Sequence, residues 1–433
     1  WFNKEKTGID FLKVRGSFGI LGRDNVKAWL WTQLYNRNAD KGPIFGLSPS
    51  TESGPTMQMP KQGVNADVHW DKTYKTNIGI DLRMLNSKLS VTLDAYYDMG
   101  RDLFATHTGA EYYPTTVGTQ ATPENFGEID TYGIETTIGW RDKVGKDFSY
   151  WIKLTTGYSD NKIKNDGWPA VIELDSKRPN ERADRGVWGY ECIGMFRSEQ
   201  DIDEYFAKYN ITSYLGNTRE NVKPGMLIYR DVRGALNDDG TYGAPDGIID
   251  NNDRIEISHR SSNPYGFTMN FGASYKDFQI SAQFGASWGA YGIVQTDLRQ
   301  ESWSDLEFNN VAAFWKDMFV YEDVYDASGN ITVEQNRDAK YPNMKYSSVN
   351  GQQSTFWQVN AASITLRNVT VAYSLPKEWL KPIGVSSCRL NLTCQNALNF
   401  YNPYPGEVWS SWAGTYGKYP NLRKFTLGLN VSF

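Results

Sequence analysis

Strict two-residue alternation of apolar and polar side chains is the feature that most constrains how this chain folds. Between residues 88 and 99 the apolar positions are Leu89, Val91, Leu93, Ala95, Tyr97 and Met99. The polar positions between them include Ser90, Thr92, Asp94 and Asp98. Successive side chains of a β-strand point to opposite faces, so this spacing predicts a strand with one apolar and one polar face. Such strands separate lipid from a polar lumen in transmembrane β-barrels.

Ten segments carry the alternation, and they predict an all-β, antiparallel transmembrane barrel wall. The predicted strands are 10–21, 73–85, 88–104, 126–141, 148–161, 265–276, 278–292, 362–374, 386–398 and 422–433. Short turns at Asn86-Ser87, 142–146, Lys276-Asp277 and 376–385 alternate with long connections at 22–72, 105–125, 162–264, 293–361 and 399–421. Bacterial outer-membrane barrels have short periplasmic turns and long extracellular loops. We therefore expect all the long loops on the outer side.

Composition agrees with a barrel wall and excludes nucleic acid as a partner. Aromatic residues make up 14% of the chain although its mean hydropathy is −0.56. No run of 18 apolar residues occurs, which excludes transmembrane helices at the sequence level. The net charge is only −5, and the basic residues are scattered, so the positive surface that binds nucleic acid is missing.

The two ends of the sequence indicate a section of a larger protein. The last strand alternates through Leu427, Leu429 and Val431 to a terminal Phe433, which is similar to the assembly signal of outer-membrane proteins. The chain begins at Trp1 without a signal peptide, although its pattern is that of an envelope protein. We therefore expect an N-terminal portion to precede it.

An acidic stretch in the third long connection is the best candidate for a metal site. Asp246, Asp250 and Asp253 follow one another at positions five, nine and twelve when Gly247 is set as position six of a calcium loop. Positions one and three are then Tyr242 and Ala244, which supply no carboxylates. A structural calcium ion and a solvated Asp/Asn turn are the two interpretations, and no other cofactor is expected.

Tryptophans in the long loops are candidates for substrate contact. Their flat apolar faces suit stacking against a sugar ring. The pairings with a neighbouring polar group are Trp303 with Asp305, and Trp409 with Trp412 across two serines. The other candidates of this kind are Trp168, Trp188, Trp315 and Trp357. The alternative for each of these rings is packing within the loops.

Several segments, in order along the chain, resemble the SusC/RagA family of TonB-dependent outer-membrane transporters. They are 68–73 (VHWDKT), 94–103, 125–128 (NFGE), 132–135 (YGIE), 194–198 (GMFRS), 366–376 (LRNVTVAYSLP) and 394–398 (CQNAL). Each is short, but together they extend over almost the whole chain. The acidic loop of the family is interrupted here by an insertion at 241–245.

The resemblance implies the C-terminal part of a plugged barrel of about 22 strands. Residues 1–433 would supply about ten of these strands, while the plug and the N-terminal strands lie in a separate, preceding part. It also implies a SusD-like surface lipoprotein lid, energy coupling to TonB through the plug, and import of a glycan or peptide oligomer across the outer membrane. No catalytic residues are implied.

Two other interpretations remain open at the sequence level. A complete ten-stranded outer-membrane barrel could act as a surface hydrolase, with catalytic groups drawn from His69, His107 and His259 in or near the outer loops. A soluble all-β protein that binds carbohydrate is the other, but the alternation of short and long connections differs from the constant spacing of propeller blades.

Overall fold

A computed structural model describes residues 7–24, 26, 28–38, 56–58, 63–107, 121–169, 172, 174, 176–237, 240–299, 312–401 and 422–433. Ten long strands form one antiparallel sheet in chain order. They are β1 (Ile9–Arg23), β2 (Asp71–Met84), β3 (Leu89–Ala105), β4 (Glu124–Val144), β5 (Phe148–Asn165), β6 (Tyr265–Tyr275), β7 (Phe278–Trp288), β8 (Ser363–Ser374), β9 (Ser387–Asn399) and β10 (Lys424–Ser432). All ten predicted strands are confirmed, with shifted ends.

The short connections all lie at one end of the sheet and are built from residues in left-handed backbone conformations. Leu85, Asn86 and Ser87 have φ values of 58°, 58° and 61° between β2 and β3. Gly145 (φ 66°) and Lys276 (φ 52°) take the same conformation in the next two turns. Positive φ reverses the chain within a few residues, which keeps these hairpins tight.

Among the described residues, the connections at the opposite end contain all but two of the remaining elements. Their short strands are Asn36–Asn38, Thr56–Gln58, Val187–Gly189, Cys192–Met195, Ser213–Tyr214, Leu227–Tyr229, Ile248–Ile249, Ile255–Ser258, Tyr291–Ile293, Val324–Tyr325, Ile331–Val333 and Gln358–Asn360. Their helices are α1 (Glu199–Tyr209), Thr296–Arg299 and Ser347–Asn350, with 3-10 turns Arg219–Asn221, Asn251–Asp253, Ala313–Asp317, Met344–Tyr346 and Thr355–Trp357. The turn between β8 and β9 contains a short α-helix, Lys377–Leu380, and a 3-10 turn, Lys381–Ile383. No described helix has the length and apolar character needed to cross a membrane.

Strand register aligns the apolar positions into continuous rows. One row runs through direct cross-strand pairs from β1 to β9: Leu12, Leu82, Val91, Ile138, Leu154, Met269, Phe284, Leu366 and Leu398. Neighbouring apolar positions are largely exposed, for example Val14 at 69% and Leu427 at 75%. An apolar face this wide and exposed is compatible with lipid and not with water.

The opposite face of the sheet is polar in the same continuous way. One residue along from the apolar row, the register brings together Lys13, Asp81, Thr92, Thr137, Thr155, Thr268, Gly285, Thr365 and Asn399. We call this the inner face and the apolar side the outer face. A one-residue slip would exchange the two sets, so each row reinforces the register of the other.

Two of the long connections fold together into a compact body, here called the loop platform, whose described residues are 187–237, 240–258, 290–299 and 312–360. It has two buried clusters, one around Tyr214, Tyr229 and Phe196, the other around Trp315, Tyr341 and Trp357. Burial of large apolar side chains on this scale is what stabilises a soluble domain. The platform therefore has a core of its own, separate from the sheet.

Helix α1 begins in the way its sequence indicates. Ser198 accepts a hydrogen bond from the Asp201 backbone N–H, and the Asp201 carboxylate accepts one from the Ser198 N–H, which completes a capping box. The buried residues Ile202 and Tyr205 face the platform core. The helix therefore begins at a capping box, and it serves packing.

Candidate functional site

A network of charges on the inner face joins the first three strands. The Arg15 guanidinium lies 2.9 Å from an Asp81 oxygen and 3.0 Å from Asp94 Oδ2. It reaches Asp94 across Gly79, where an added Cβ would stand 2.6 Å from Arg15 Nη2. The missing side chain of Gly79 leaves room for this crossing, and the Arg15 guanidinium thereby links the three strands.

A hollow of about 400 Å³ lies beside that network on the inner face. Threonines 92, 137, 155, 156 and 268 line it, with Asp94 and Glu135 on one side and Arg367 on the other. Asp94 and Glu135 are directly opposite each other in register. The hollow is therefore lined by hydroxyl groups and has carboxylates at one edge and a guanidinium at the other.

The inner face changes character along the sheet. From β6 to β9 the register places four amides side by side, Asn270, Gln283, Asn368 and Gln395, and Asn368 donates to Gln283 at 3.2 Å. Amides and hydroxyls both donate and accept hydrogen bonds without carrying charge. The first strands thus present ion pairs, whereas these four positions of the later strands form a row of neutral amides.

Aromatic rings mark both ends of the outer face. Near the short turns the Trp140 indole donates to the Tyr150 hydroxyl at 3.2 Å, and the Phe278 and Tyr373 rings lie 4.5 Å apart. Near the loops Tyr97 stacks on Tyr132 with ring centroids 6.4 Å apart. Two aromatic belts separated by an apolar band are the usual pattern of a membrane-spanning barrel.

The buried amide of Asn350 is one of the groups that join the two segments of the loop platform. Asn350 accepts from the Leu227 backbone N–H at 2.8 Å and donates to the carbonyls of Gly225 and Asn343 at 2.9 and 2.8 Å. The Tyr229 hydroxyl adds a bond to the Val349 carbonyl at 2.8 Å. Because buried polar groups are costly when unpaired, these bonds hold the two loops in one arrangement.

The predicted calcium residues lie in a turn whose carboxylates bind backbone groups. Asp253 is fully buried and accepts hydrogen bonds from the N–H groups of Val232, Arg233 and Asp250. Both Asp250 oxygens accept from Asn252, and Asp246 Oδ1 accepts from the Ile248 N–H.

These bonds leave few oxygens for a cation. Calcium takes six to eight oxygen ligands, and the described residues contain no group of three or more acidic, Cys or His side chains arranged to hold a metal. The carboxylates present therefore fit calcium poorly. The calcium site stays a prediction.

The four predicted substrate-contact residues, Trp303, Asp305, Trp409 and Trp412, lie outside the described residues. Two other loop tryptophans are explained by packing, because Trp315 and Trp357 are buried and their indoles donate to the carbonyls of Leu298 and Asn350. Sequence reasoning did not single out the charged hollow. The local sequence feature that could have indicated the hollow is the break in alternation at Leu366-Arg367-Asn368, where two polar residues follow one another.

Known proteins with similar sequences are TonB-dependent receptors. A receptor from Formosa agariphila is 24% identical, and the match covers 100% of this chain and 41% of the receptor. SusC from Bacteroides thetaiotaomicron is 23% identical, covering 100% of this chain and 38% of SusC. The chain thus spans about two fifths of the length of its curated relatives. No family model matches the sequence.

Solved structures with a similar fold include the RagAB peptide importer. The open-open state aligns with a TM-score of 0.68 at 16% identity, covering 99% of this chain and 41% of that chain. The closed-closed state aligns with a TM-score of 0.66. At this level of identity, the similarity to these structures shows a shared fold.

The two-faced sheet, its aromatic belts and its one-sided long loops define the wall of a transmembrane β-barrel. Over its whole length the chain is similar in sequence to part of the TonB-dependent receptors, SusC among them, and this confirms the predicted resemblance to the SusC/RagA family.

Proposed function

We propose that this chain is the C-terminal wall section of an importer that carries a glycan or peptide oligomer across the outer membrane. The observation that carries the proposal is the sheet itself, which is polar on one face, apolar on the other, and open at both edges. Within the described residues, β1 pairs only with β2, and β10 pairs only with β9.

Open edges are the physical reason for a larger barrel. Unpaired backbone N–H and C=O groups cost several kcal/mol each in hydrocarbon, so spanning sheets are closed. Plugged transporters of the outer membrane close with 22 strands. Ten strands supplied here leave about twelve for the preceding part of the protein, which also carries the plug and the contact with TonB.

The loop platform is the observation that favours a partner protein on the outer side. Its two segments are fixed to each other through Asn350 and Tyr229, so it offers a stable surface above the barrel. A SusD-like lipoprotein seated there would close over a captured oligomer. One solved structure of similar fold is described as the RagAB peptide importer, which favours import as the activity.

The hydrolase alternative finds less support. His69 Nδ1 lies 2.8 Å from the Asp67 carbonyl, the His107 ring stacks on Phe126, and exposed His259 pairs with Glu256 at 3.0 Å. These contacts hold the three histidines at separate places. The known relatives are named as receptors and an importer, and we propose transport without catalysis.

Purification from the outer membrane and an uptake assay test the proposal together. Intact mass spectrometry of the material that contains this chain is expected to show a polypeptide more than twice its 49.2 kDa mass, with a co-purifying lipoprotein. Deletion of the gene is expected to abolish growth on one class of oligomer, peptide or glycan, while growth on the monomers continues. A solitary 49.2 kDa heat-modifiable barrel with unchanged uptake would contradict it.

A further inference from the structure

The end of β5 nearest the long connections extends past its neighbour β6. The two strands stay paired up to Thr156, whereas β5 continues to Asn165. The segment 178–183 covers the edge that β6 leaves open. Ile163 accepts a backbone hydrogen bond from this segment at 2.8 Å and donates one to it at 2.9 Å. The extension is therefore held on both sides, by β4 and by this segment.

Two lysines of the extension continue the outer face of the wall. Lys162 is four residues from Tyr158 in unbroken pairing with β4, and the Tyr158 ring stacks on Tyr265 with centroids 5.6 Å apart in the aromatic belt near the loops. Lys164 follows, close enough to Asp130 on the same face to interact with it electrostatically. Both lysines are exposed. They place two cations beyond the belt on the lipid-facing side.

The carboxylates around these lysines are engaged by other groups. Asp130 binds the Arg101 guanidinium at 2.8 Å. Asp160, which is 8% exposed, binds Arg260 at 2.7 Å. In the part of the chain that the structure describes, neither lysine has a carboxylate within ion-pair distance. Their charges are therefore left for a partner.

The segment that covers β5 adds further positive charge. Arg178 and Arg182 flank Asn180, whose side-chain oxygen accepts from Lys164 Nζ at 2.9 Å. The Nε–H of each arginine is buried without an acceptor among the described residues, and Arg182 Nη2 donates to the His259 carbonyl. A neutral amide or carbonyl oxygen does not cancel a cation. The two arginines thus raise the positive potential around the lysines.

The lysines lie at the level of lipid headgroups. Lys162 stands ~14 Å along β5 beyond Tyr158, and a strand tilt of about 40° shortens this to ~10 Å along the membrane normal. Tyrosine rings of such a belt lie among the headgroups. A lysine can bend its ammonium back toward the membrane while its apolar stem covers the surface. Both ammonium groups can therefore reach the headgroups beside this face.

We infer that Lys162 and Lys164 bind the phosphate groups of anionic lipid headgroups in the outer leaflet. The inference depends on the orientation of the wall, with its long connections outside, and goes beyond the proposed import. Lipid is the occupant because the two lysines continue the face that lipid covers. Two cations without carboxylates complement a phosphorylated headgroup, and the apolar face below them contacts its acyl chains.

Lipid titration of the full-length transporter tests the site. Native mass spectrometry counts the molecules of bis-phosphorylated lipid A that bind to the detergent-solubilised protein. K162Q/K164Q is expected to weaken binding about thirtyfold, since each basic residue near an anionic surface contributes about a factor of five. Wild type should bind lipid A that lacks its phosphates as weakly as this variant binds the complete lipid.

K143Q/K153Q is the matched control. Lys143 and Lys153 are exposed lysines on the inner face of β4 and β5, so the same charge is removed from the side that lipid does not cover. This variant is expected to bind lipid A like wild type. K162R/K164R keeps both cations and should do the same, and the heat-modifiable mobility of each variant shows that its barrel is folded.

Equal lipid binding by wild type and K162Q/K164Q would overturn the site, and so would a loss of binding in K162R/K164R. Displacement of the lipid by an equal concentration of inorganic phosphate would contradict it by identifying a free anion as the ligand. Loss of a co-purifying lipoprotein with lipid binding unchanged would assign the lysines to a protein partner instead. A transporter that binds lipid A as expected but imports no oligomer would support the site and contradict the proposed function.

Discussion

The wall and the loop platform both contain many large apolar side chains, but the wall exposes them and the platform buries them. In the wall, large apolar side chains such as Val14 and Leu427 are exposed, and the backbone ladders hold the structure. In the platform, Trp357, Tyr214 and Phe319 are almost completely buried. The wall depends on lipid to cover its apolar face, whereas the platform covers its own. Substitutions should therefore affect the two regions differently. The platform should respond to the loss of buried volume, and the wall to a charge on its lipid-facing side.

The largest expected effect is in the platform core. Trp357→Ala removes a ring that is 2% exposed and leaves the Asn350 carbonyl without its donor, which should cost about 3–5 kcal/mol of platform stability. Hydrogen exchange of platform amides measures it. The heat-modifiable mobility of the barrel is expected to stay unchanged. Trp379→Ala, at a tryptophan that is 65% exposed in the turn after β8, is the control and should change neither readout.

A charge on the outer face of the wall should have the next largest effect. Leu154 lies midway between Tyr150 and Tyr158 on β5, so Leu154→Arg places a cation near the bilayer midplane at a cost of about 2–4 kcal/mol. Urea unfolding of the transporter in lipid vesicles measures it. Thr155→Arg, one residue along and on the inner face, should cost well under half as much. Equal costs would mean that the two faces are wrongly assigned.

The acidic turn should respond more moderately. Asp253→Asn replaces an oxygen that accepts backbone N–H bonds, with an expected loss of about 1–3 kcal/mol from the platform. The loss should not depend on calcium. If calcium stabilised the wild-type platform and this gain vanished in D246N, the predicted cation site would be supported in spite of its poor fit.

The same carboxyl should give the platform a pH dependence. Burial, reinforced by the nearby Asp231 charge, raises the pKa of Asp253 above its ordinary value. The folded state then binds the proton more tightly than the unfolded state, so this contribution is complete below the unfolded pKa and is lost as the pH rises through the folded pKa. D253N should lack that decline.

The smallest effect belongs to the start of α1. Ser198→Ala removes the acceptor for the Asp201 N–H and should cost about 1 kcal/mol. Faster hydrogen exchange confined to the first turn of the helix is the expected result. Ser198→Asp keeps an acceptor and should exchange like wild type.

The wall strands could be predicted from the sequence because each strand carries its own apolar/polar alternation within a few neighbouring residues. Alternation identified each of the ten wall strands. The errors among these strands were confined to their ends, such as those of β4, which extends to Glu124 and Val144 beyond the predicted 126–141. Cross-strand hydrogen bonds extend these strands beyond the residues at which the apolar/polar alternation weakens. Arg367 was overlooked because a bulge appears in sequence only as a slip in the alternation.

The platform could not be predicted in the same way. Its central bond joins Asn350 to Leu227, which are 123 residues apart, and no local pattern records such a contact. The 3-10 turn Ala313–Asp317 likewise packs Phe314 and Trp315 into the second buried cluster, against residues distant in the sequence. Buried and exposed loop tryptophans look alike in a sequence.

Disulfide cross-linking of the two open edges tests the central claim that this chain is one section of a larger barrel. In the full-length transporter without its native cysteines, a cysteine pair at Ser17 on β1 and Asn430 on β10 should not cross-link. The adjacent inner-face pair Thr370 and Thr393, whose hydroxyl oxygens lie 3.0 Å apart, should cross-link as cysteines and serves as the control. An efficient bond between β1 and β10 would show that these ten strands close on themselves, and would contradict the account.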